Sequence, residues 1–418
     1  MIALIRLVIA FGATALTAAA PTPSLELVSR SYINPDFANP SVGPAAISLD
    51  PNLMRDSCVS TTQLVDGRVF WICRDTQILT EQDITRASFP IRSSASWSNV
   101  TILGADLQNV PPSQGQQQLT APFSKQLLQY GNGHNGAYFP YVQNGDECSA
   151  DGNQYGSSCE GAQVVLYPNA PAYVVNSPSG ATFMTAFIPV VNSTNGYINP
   201  NFQCSLYFLT YNHNADPNVM PTVNLINEGF FPRGAYCYGA YGGISNPSDG
   251  YLYLYGQELS ARSVGLARVP LGSYLDISKY TYYRTDGTWT STQPTINTTS
   301  TNLIASVPNE GQGTFFYSTY IGRYVWVGQT HIGASDGVHV GVSTSQNPYG
   351  PWTTVQDIAV LPHGNPYGYT VAAHPEMSQN SQFLYVSYTA YQQVNGVSYY
   401  TMPLYLFQWS DSSKFGSN

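Results

Sequence analysis

Charge is what this chain has least of. Charged residues make up 9% of its 418 positions, against about 25% in ordinary soluble domains. The balance is acidic, with a formal net charge of −9, and no run of Lys or Arg gathers anywhere. A polyanion therefore finds no electrostatic footprint, and nucleic acid is not expected as a partner. Helical periodicity is almost missing, which excludes helical bundles and alternating α/β folds. Beyond the N-terminus no apolar run approaches the roughly 20 residues of a membrane span. The ligand spacings H-x-x-x-H, C-x-x-C and the EF-hand loop are absent, so no metal site or cofactor is expected from spacing. A single ion in a central channel stays open. A G-x-S-x-G elbow, a P-loop and a dinucleotide fingerprint are absent too, which argues against serine hydrolases and nucleotide enzymes.

What is present is tyrosine, glycine and proline, at 32, 36 and 29 residues. Tyrosine joins a flat apolar face to a hydroxyl, which suits polar, uncharged ligands such as sugars, although it also favours β-strands in general. The stretch Met1–Ala20 carries one positive charge, Arg6, then the apolar Leu7–Ala15 and small residues up to Ala20. That is the layout of a secretory signal peptide, and it places the mature chain at 21–418, secreted and free of the membrane after cleavage. Six cysteines and the Asn-x-Ser/Thr acceptors at Asn99, Asn192 and Asn297 agree with a secreted glycoprotein.

Short alternating or β-branched runs recur between Gly, Pro, Asn and Asp clusters, and they read as strands and turns. Examples are Arg68–Cys73, Gln163–Tyr167, Thr182–Val191, Tyr251–Gly256, Tyr324–Gly328, Val338–Ser343 and Phe383–Tyr388. In the second half, Gly234–Gly243, Thr314–Thr319 and Tyr369–His374 each lead through a turn into a strongly aromatic strand. These starts lie roughly 60 to 80 residues apart, the scale of one propeller blade. With earlier units near Cys58 and Ala121, the pattern predicts an all-β, five-bladed β-propeller in a single domain. Small or polar residues suit its crowded innermost strands, and aromatics suit the strands packed between blades.

The segment Arg55–Thr76 reads as a hairpin turning at Val65-Asp66-Gly67. If Cys58 faces Cys73, a local disulfide is possible, and in that register Asp56 falls opposite Asp75 on the same side of the sheet. A two-residue turn at Asp66-Gly67 would shift the pairing by two. Carboxyls held a few ångströms apart cannot both ionise easily, so one of them becomes an acid and the other a base or nucleophile. The structural alternative is that Asp56 pairs with Arg55 or Arg74 and caps a turn.

Here the sequence resembles the first blade of the five-bladed propeller glycoside hydrolases, and most closely a domain-of-unknown-function family that includes microbial endo-D-arabinanases. That family has an early Asp and, about 18 residues on, a second Asp in Gly-Asp-Thr; the matching residues are Asp56 and Asp75 in Arg74-Asp75-Thr76. Gly265–Tyr283 with Trp289 resembles its strand, Val-Pro turn and short helical segment, and Gly350-Pro351-Trp352 is similar to a blade edge common in such propellers. The resemblance implies a secreted glycoside hydrolase, arabinanase-like, acting on an extracellular or cell-wall polysaccharide and working as a monomer. Arg74 departs from the family's Gly. A cation there would lower the pKa of Asp75, narrow the site, or grip hydroxyls or a carboxylate of a different substrate.

Further candidates sit at the starts of later units. Glu310 is the third catalytic candidate, because it precedes the first strand of a late blade. Glu228 and His374 are candidate substrate-binding residues beside Arg74, each weighed against a turn-capping or core role. His134, His331 and His363 lie in Gly- or Asn-rich loops that could line the channel mouth. Asp146–Glu160 has the flavour of a calcium loop but lacks the full ligand series, and reads more simply as a loop closed by Cys148–Cys159; Cys204–Cys237 would complete the pairing. The rival to an enzyme is a non-catalytic, lectin-like propeller that keeps the fold without the chemistry.

Overall fold

A computed structural model describes residues 25–31, 53–60, 64, 68–80, 83–87, 93–99, 124–126, 137–140, 148–149, 163–194, 197–198, 202–215, 219–246, 248–258, 263–296, 310–331, 335–361, 368–377, 383–394, 397–402 and 404–409. The expected signal peptide, the acceptor Asn297, His134, His363 and Cys159 lie outside the described residues. No helix among the described residues is long and apolar enough to cross a membrane.

Short-range hydrogen bonding builds the strands into sheets. One sheet runs Val59–Ser60, Arg68–Cys73, Ser94–Asn99 and Ser124–Gln126. A small sheet of Leu53–Arg55, Thr76–Thr80 and Asp83–Ala87 continues the same hairpin. Next comes a large sheet built on Ala181–Thr194, Gln203–Asn212 and Thr222–Phe231. Two more begin at Gly242–Asn246 and Glu310–Ser318. The last joins Gly368–His374, Phe383–Val394 and Leu404–Trp409 to the N-terminal strand Leu25–Ser31, with Leu25 opposite Trp409. Pairing the first strand with the last closes a ring and removes an exposed edge. The chain is an all-β propeller.

The cores lie between sheets. Phe70, Ile72, Met184 and Ile188 fill one wedge; Phe187, Phe231, Leu252 and Leu254 fill the next; Tyr255, Phe315 and Trp326 a third; Val325, Val340, Leu384 and Val386 a fourth. The aromatic second strands expected from sequence supply these wedges. The inner strands carry small residues because space runs out there: a Cβ on Gly242 would come within 2.5 Å of the Phe315 ring.

Every strand named above from the sequence falls on an observed strand, and the expected helical segment after the Val-Pro turn forms two 3-10 turns, Leu271–Ser273 and Ile277–Lys279. Gly234–Gly243 differs. It is mostly turn, and the strand starts at Gly242. The cause is local: Gly234 and Gly239 have positive φ (84° and 91°), and Cys237 is tied back to Cys204.

Candidate active site

The hairpin pairs Val59 with Ile72 and Ser60 with Trp71 on one side, and Arg55 with Thr76 on the other, while Cys58 and Cys73 form a disulfide between them. This register sets Asp56 opposite Asp75. The Asp56 N–H donates to the Asp75 carbonyl at 3.0 Å, whereas the Arg74 N–H, not that of Asp75, donates to the Asp56 carbonyl at 3.0 Å. The ladder is therefore kinked at the two acids, and Ser57 beside them has φ +50°.

Asp56 is buried, at 3% exposure. Its Oδ1 accepts from the hydroxyls of Ser57 and Thr389, the latter at 2.8 Å, and its Oδ2 accepts from the Tyr369 hydroxyl at 2.9 Å. Thr389 also accepts the Ser57 N–H at 2.8 Å, and Ser57 Oγ lies 3.1 Å from Thr370 Oγ1. The last sheet thus holds the acid of the first hairpin from the side. Burial, and then the Asp75 carboxylate, push the Asp56 pKa from 3.8 up to about 6, against the lowering effect of Arg74 and of the hydroxyl donors. Three oriented donors fix the carboxyl's direction.

Thr370 has φ +61°, in a strand whose register slips between Tyr369 and Ala372. Positive φ is strained for any L side chain and most of all for a β-branched one, costing about 1–3 kcal/mol. Two such residues, Ser57 and Thr370, touch each other and surround Asp56. Strain gathered at one carboxyl singles it out as the candidate site.

Arg74 leaves the hairpin toward the neighbouring sheet. Its guanidinium donates to Asn169 Oδ1 and sits 5.1 Å from the centre of the Tyr167 ring. Its buried Nε has no hydrogen-bond partner among the described residues. Asp75 is half-buried at the same end. Glu310 opens an inner strand opposite Gln329, and the Gln329 amide reaches the Gly368 carbonyl at 3.3 Å, next to Tyr369. Its backbone thus stands one strand away from the element that grips Asp56; its side chain lies outside the described residues.

The other two sequence candidates are placed elsewhere. His374 is completely buried, its Nδ1 2.6 Å from Ser60 Oγ, its Nε2 2.7 Å from Ser387 Oγ and its ring 4.7 Å from that of Trp71. Burial lowers its pKa to about 3, so it stays neutral and works as a packed, hydrogen-bonded core residue rather than a ligand contact. Glu228 is in the strand Thr222–Phe231, at the outer edge of its sheet, and not in a loop before an inner strand. Glu376, which was not singled out from sequence, accepts from Ser60 beneath the hairpin, and burial raises its pKa from 4.5 to about 8. Ser57, Tyr369, Thr370 and Thr389 were not singled out either. Ser57 adjoins Asp56 in the chain, but Tyr369, Thr370 and Thr389 carry no local mark, because they meet the hairpin only when the ring closes.

The fold finds counterparts among known proteins. A family model described as a domain of unknown function (DUF5005) matches residues 210–404. No curated protein matches the chain in sequence. A proposed hydrolase from Bacteroides ovatus has a similar structure, at 16% identity, with 94% of both chains covered and a TM-score of 0.59. A family 117 glycoside hydrolase from the marine bacterium Zobellia galactanivorans shares 9% identity over 95% of this chain and 93% of its own, with a TM-score of 0.45. The GH43_1 enzyme from Xanthomonas citri complexed with xylose shares 12% identity over 86% of this chain and 90% of its own, with a TM-score of 0.42. At such identities the likeness to the Bacteroides ovatus protein is one of fold.

Proposed function

We propose that this chain is a secreted glycoside hydrolase, arabinanase-like, that cleaves an extracellular or cell-wall polysaccharide at Asp56, Asp75 and Glu310. One observation carries the reading: a buried carboxyl gripped by three hydroxyls, with a pKa raised to about 6 and a second carboxyl opposite it in the hairpin. Glycoside hydrolysis needs one carboxyl to protonate the leaving oxygen and another to take a proton from water or attack the sugar carbon. Asp56, whose three donors all favour its ionised form, is the base or nucleophile. Glu310 is the proton donor, and Asp75 is the charged neighbour that tunes Asp56. Arg74, with a free buried donor beside Tyr167 and Asn169, holds sugar hydroxyls.

Secretion is supported by the N-terminal apolar run and by the disulfides Cys58–Cys73 and Cys204–Cys237. A count of five blades is part of this reading, supported by the five sheets of four or more strands among the described residues. The fold is shared with a protein described as a proposed hydrolase.

The test is a panel of arabinan, galactan, fructan and fungal-wall glycans with the native protein, Asp56→Asn, Asp75→Asn and Glu310→Gln. Turnover of one polymer by the native protein, lost by at least a hundredfold in Asp56→Asn, is expected. Binding without turnover by all four proteins would make the chain lectin-like.

A further inference from the structure

A second cluster lies on the outer strands of the sheet that begins at Glu310, and it takes no part in the carboxylate centre. His331 follows the strand Arg323–Gln329, His339 is in Val338–Ser345, and Asp357 is in Gln356–Leu361. Their ligand atoms all lie within 4.8 Å of one another. His339 Nδ1 is 3.3 Å from Asp357 Oδ2, and His331 Nδ1 is 3.9 Å from the same oxygen. From this geometry we infer a binding site for a zinc-class divalent ion, held by His331, His339 and Asp357 with a coordination position left open.

The distances fit such an ion. Tetrahedral zinc with bonds of about 2.0–2.1 Å separates its ligands by about 3.3 Å. The His339–Asp357 pair already stands at that spacing. His331, whose side chain is 62% exposed, needs only a small rotation to close the third edge. Two imidazoles and one carboxylate select zinc, copper, nickel or cobalt over calcium or magnesium, which prefer all-oxygen shells.

The supporting shell is also in place. Metal-binding imidazoles usually give their other ring nitrogen to a carboxylate, which sets their tautomer and orientation. His339 does so: its Nε2 is 3.0 Å from Asp336 Oδ1, leaving Nδ1 for the ion. Asp357 is aimed in the same way, because the Thr330 hydroxyl donates to its Oδ1 at 2.6 Å and leaves Oδ2 facing the histidines. Thr330 is itself fixed by its N–H to the His339 carbonyl at 3.1 Å. A register slip between Val340 and Gly341 brings Asp357 opposite Gly341, two positions along from His339 on the same strand face. Without it the acid would turn to the other side.

Simple ion pairing explains less. It accounts for a protonated His339 between Asp336 and Asp357, and both acids do raise its pKa. It leaves His331, whose Nδ1 also lies 3.0 Å from the Thr330 hydroxyl, 3.9 Å from the shared Asp357 oxygen and so beyond hydrogen-bonding reach.

The experiment uses the full-length protein stripped with a chelator and titrated with zinc alone by calorimetry, and with cobalt by visible absorption. The native protein should bind zinc with micromolar or tighter affinity and show the d–d bands of tetrahedral cobalt. His331→Ala and Asp357→Asn should each lose that equivalent or weaken it at least tenfold, with unchanged circular dichroism because both side chains are exposed. His213→Ala, at a histidine bonded instead to Thr182, should bind as the native protein does. Absence of zinc binding at 100 μM in the native protein would overturn the assignment. So would equal binding by His331→Ala and Asp357→Asn.

Discussion

Asp56→Asn should abolish turnover and, at neutral pH, stabilise the fold. The physical reason is that the native protein keeps a charge out of water. The Asp56 pKa rises from 3.8 to about 6 on folding, so the folded state holds its proton more tightly than the unfolded chain does. Stability from this group is complete below 3.8 and is lost as pH rises through about 6. At about 1.4 kcal/mol per pKa unit, the burial penalty is about 1 kcal/mol at pH 4.5 and about 3 kcal/mol at pH 7.5. Asparagine has nearly the same shape and no charge. Its own packing and hydrogen-bonding cost is independent of pH, so it cancels when two pH values are compared. Urea unfolding of both proteins at pH 4.5 and 7.5 measures the difference. The stability gap should move by about 2 kcal/mol in favour of Asp56→Asn on going to pH 7.5. A gap that stays constant would refute the claim that Asp56 is a desolvated, titrating carboxyl. It would remove the main support for Asp56 as the base.

Three further outcomes follow from the same contacts. Tyr369→Phe removes one donor from the Asp56 carboxylate, and hydrogen bonds to charged groups contribute about 1.5–3 kcal/mol; kcat/KM at pH 5.5 should fall about 10- to 100-fold, with the acid limb of the pH profile moved upward. Glu376→Gln should flatten the loss of stability at alkaline pH. The buried Glu376 carboxyl titrates near 8 instead of 4.5, so the native protein should lose about 2 kcal/mol more than the variant between pH 6.5 and 9 in urea unfolding. Replacing Cys58 and Cys73 together by serine opens a link between residues 15 apart and should cost about 3 kcal/mol, read as a lower Tm by calorimetry.

Much of the architecture was legible because it is local. Alternation and turn residues placed the strands, and the aromatic second strands became the wedges between sheets. The site was legible in part, for the same reason. Asp56 and Asp75 belong to one hairpin, whose register follows from a disulfide between Cys58 and Cys73. The misplacements are non-local. His374 sits at the end of an inner strand, as the sequence implied, but its burial depends on Trp71 and Ser387 packing around it. Glu228 precedes Gly229 and looks like a loop acid, yet it lies in an edge strand, at a register slip between Asn227 and Phe231 where the Ser205 hydroxyl donates to its carbonyl.

By itself the sequence determined the all-β class and an acid pair on one short hairpin, since a turn and a cross-strand bridge require only neighbours in the chain. Tertiary structure alone decided what surrounds that pair. Tyr369 and Thr389 are 313 and 333 residues from Asp56, and they reach it only because the N-terminal strand completes the last sheet. Desolvation, and with it the pKa of about 6, is likewise a property of the closed ring. A carboxyl's identity is written in the chain, but its protonation at neutral pH depends on what excludes water from it.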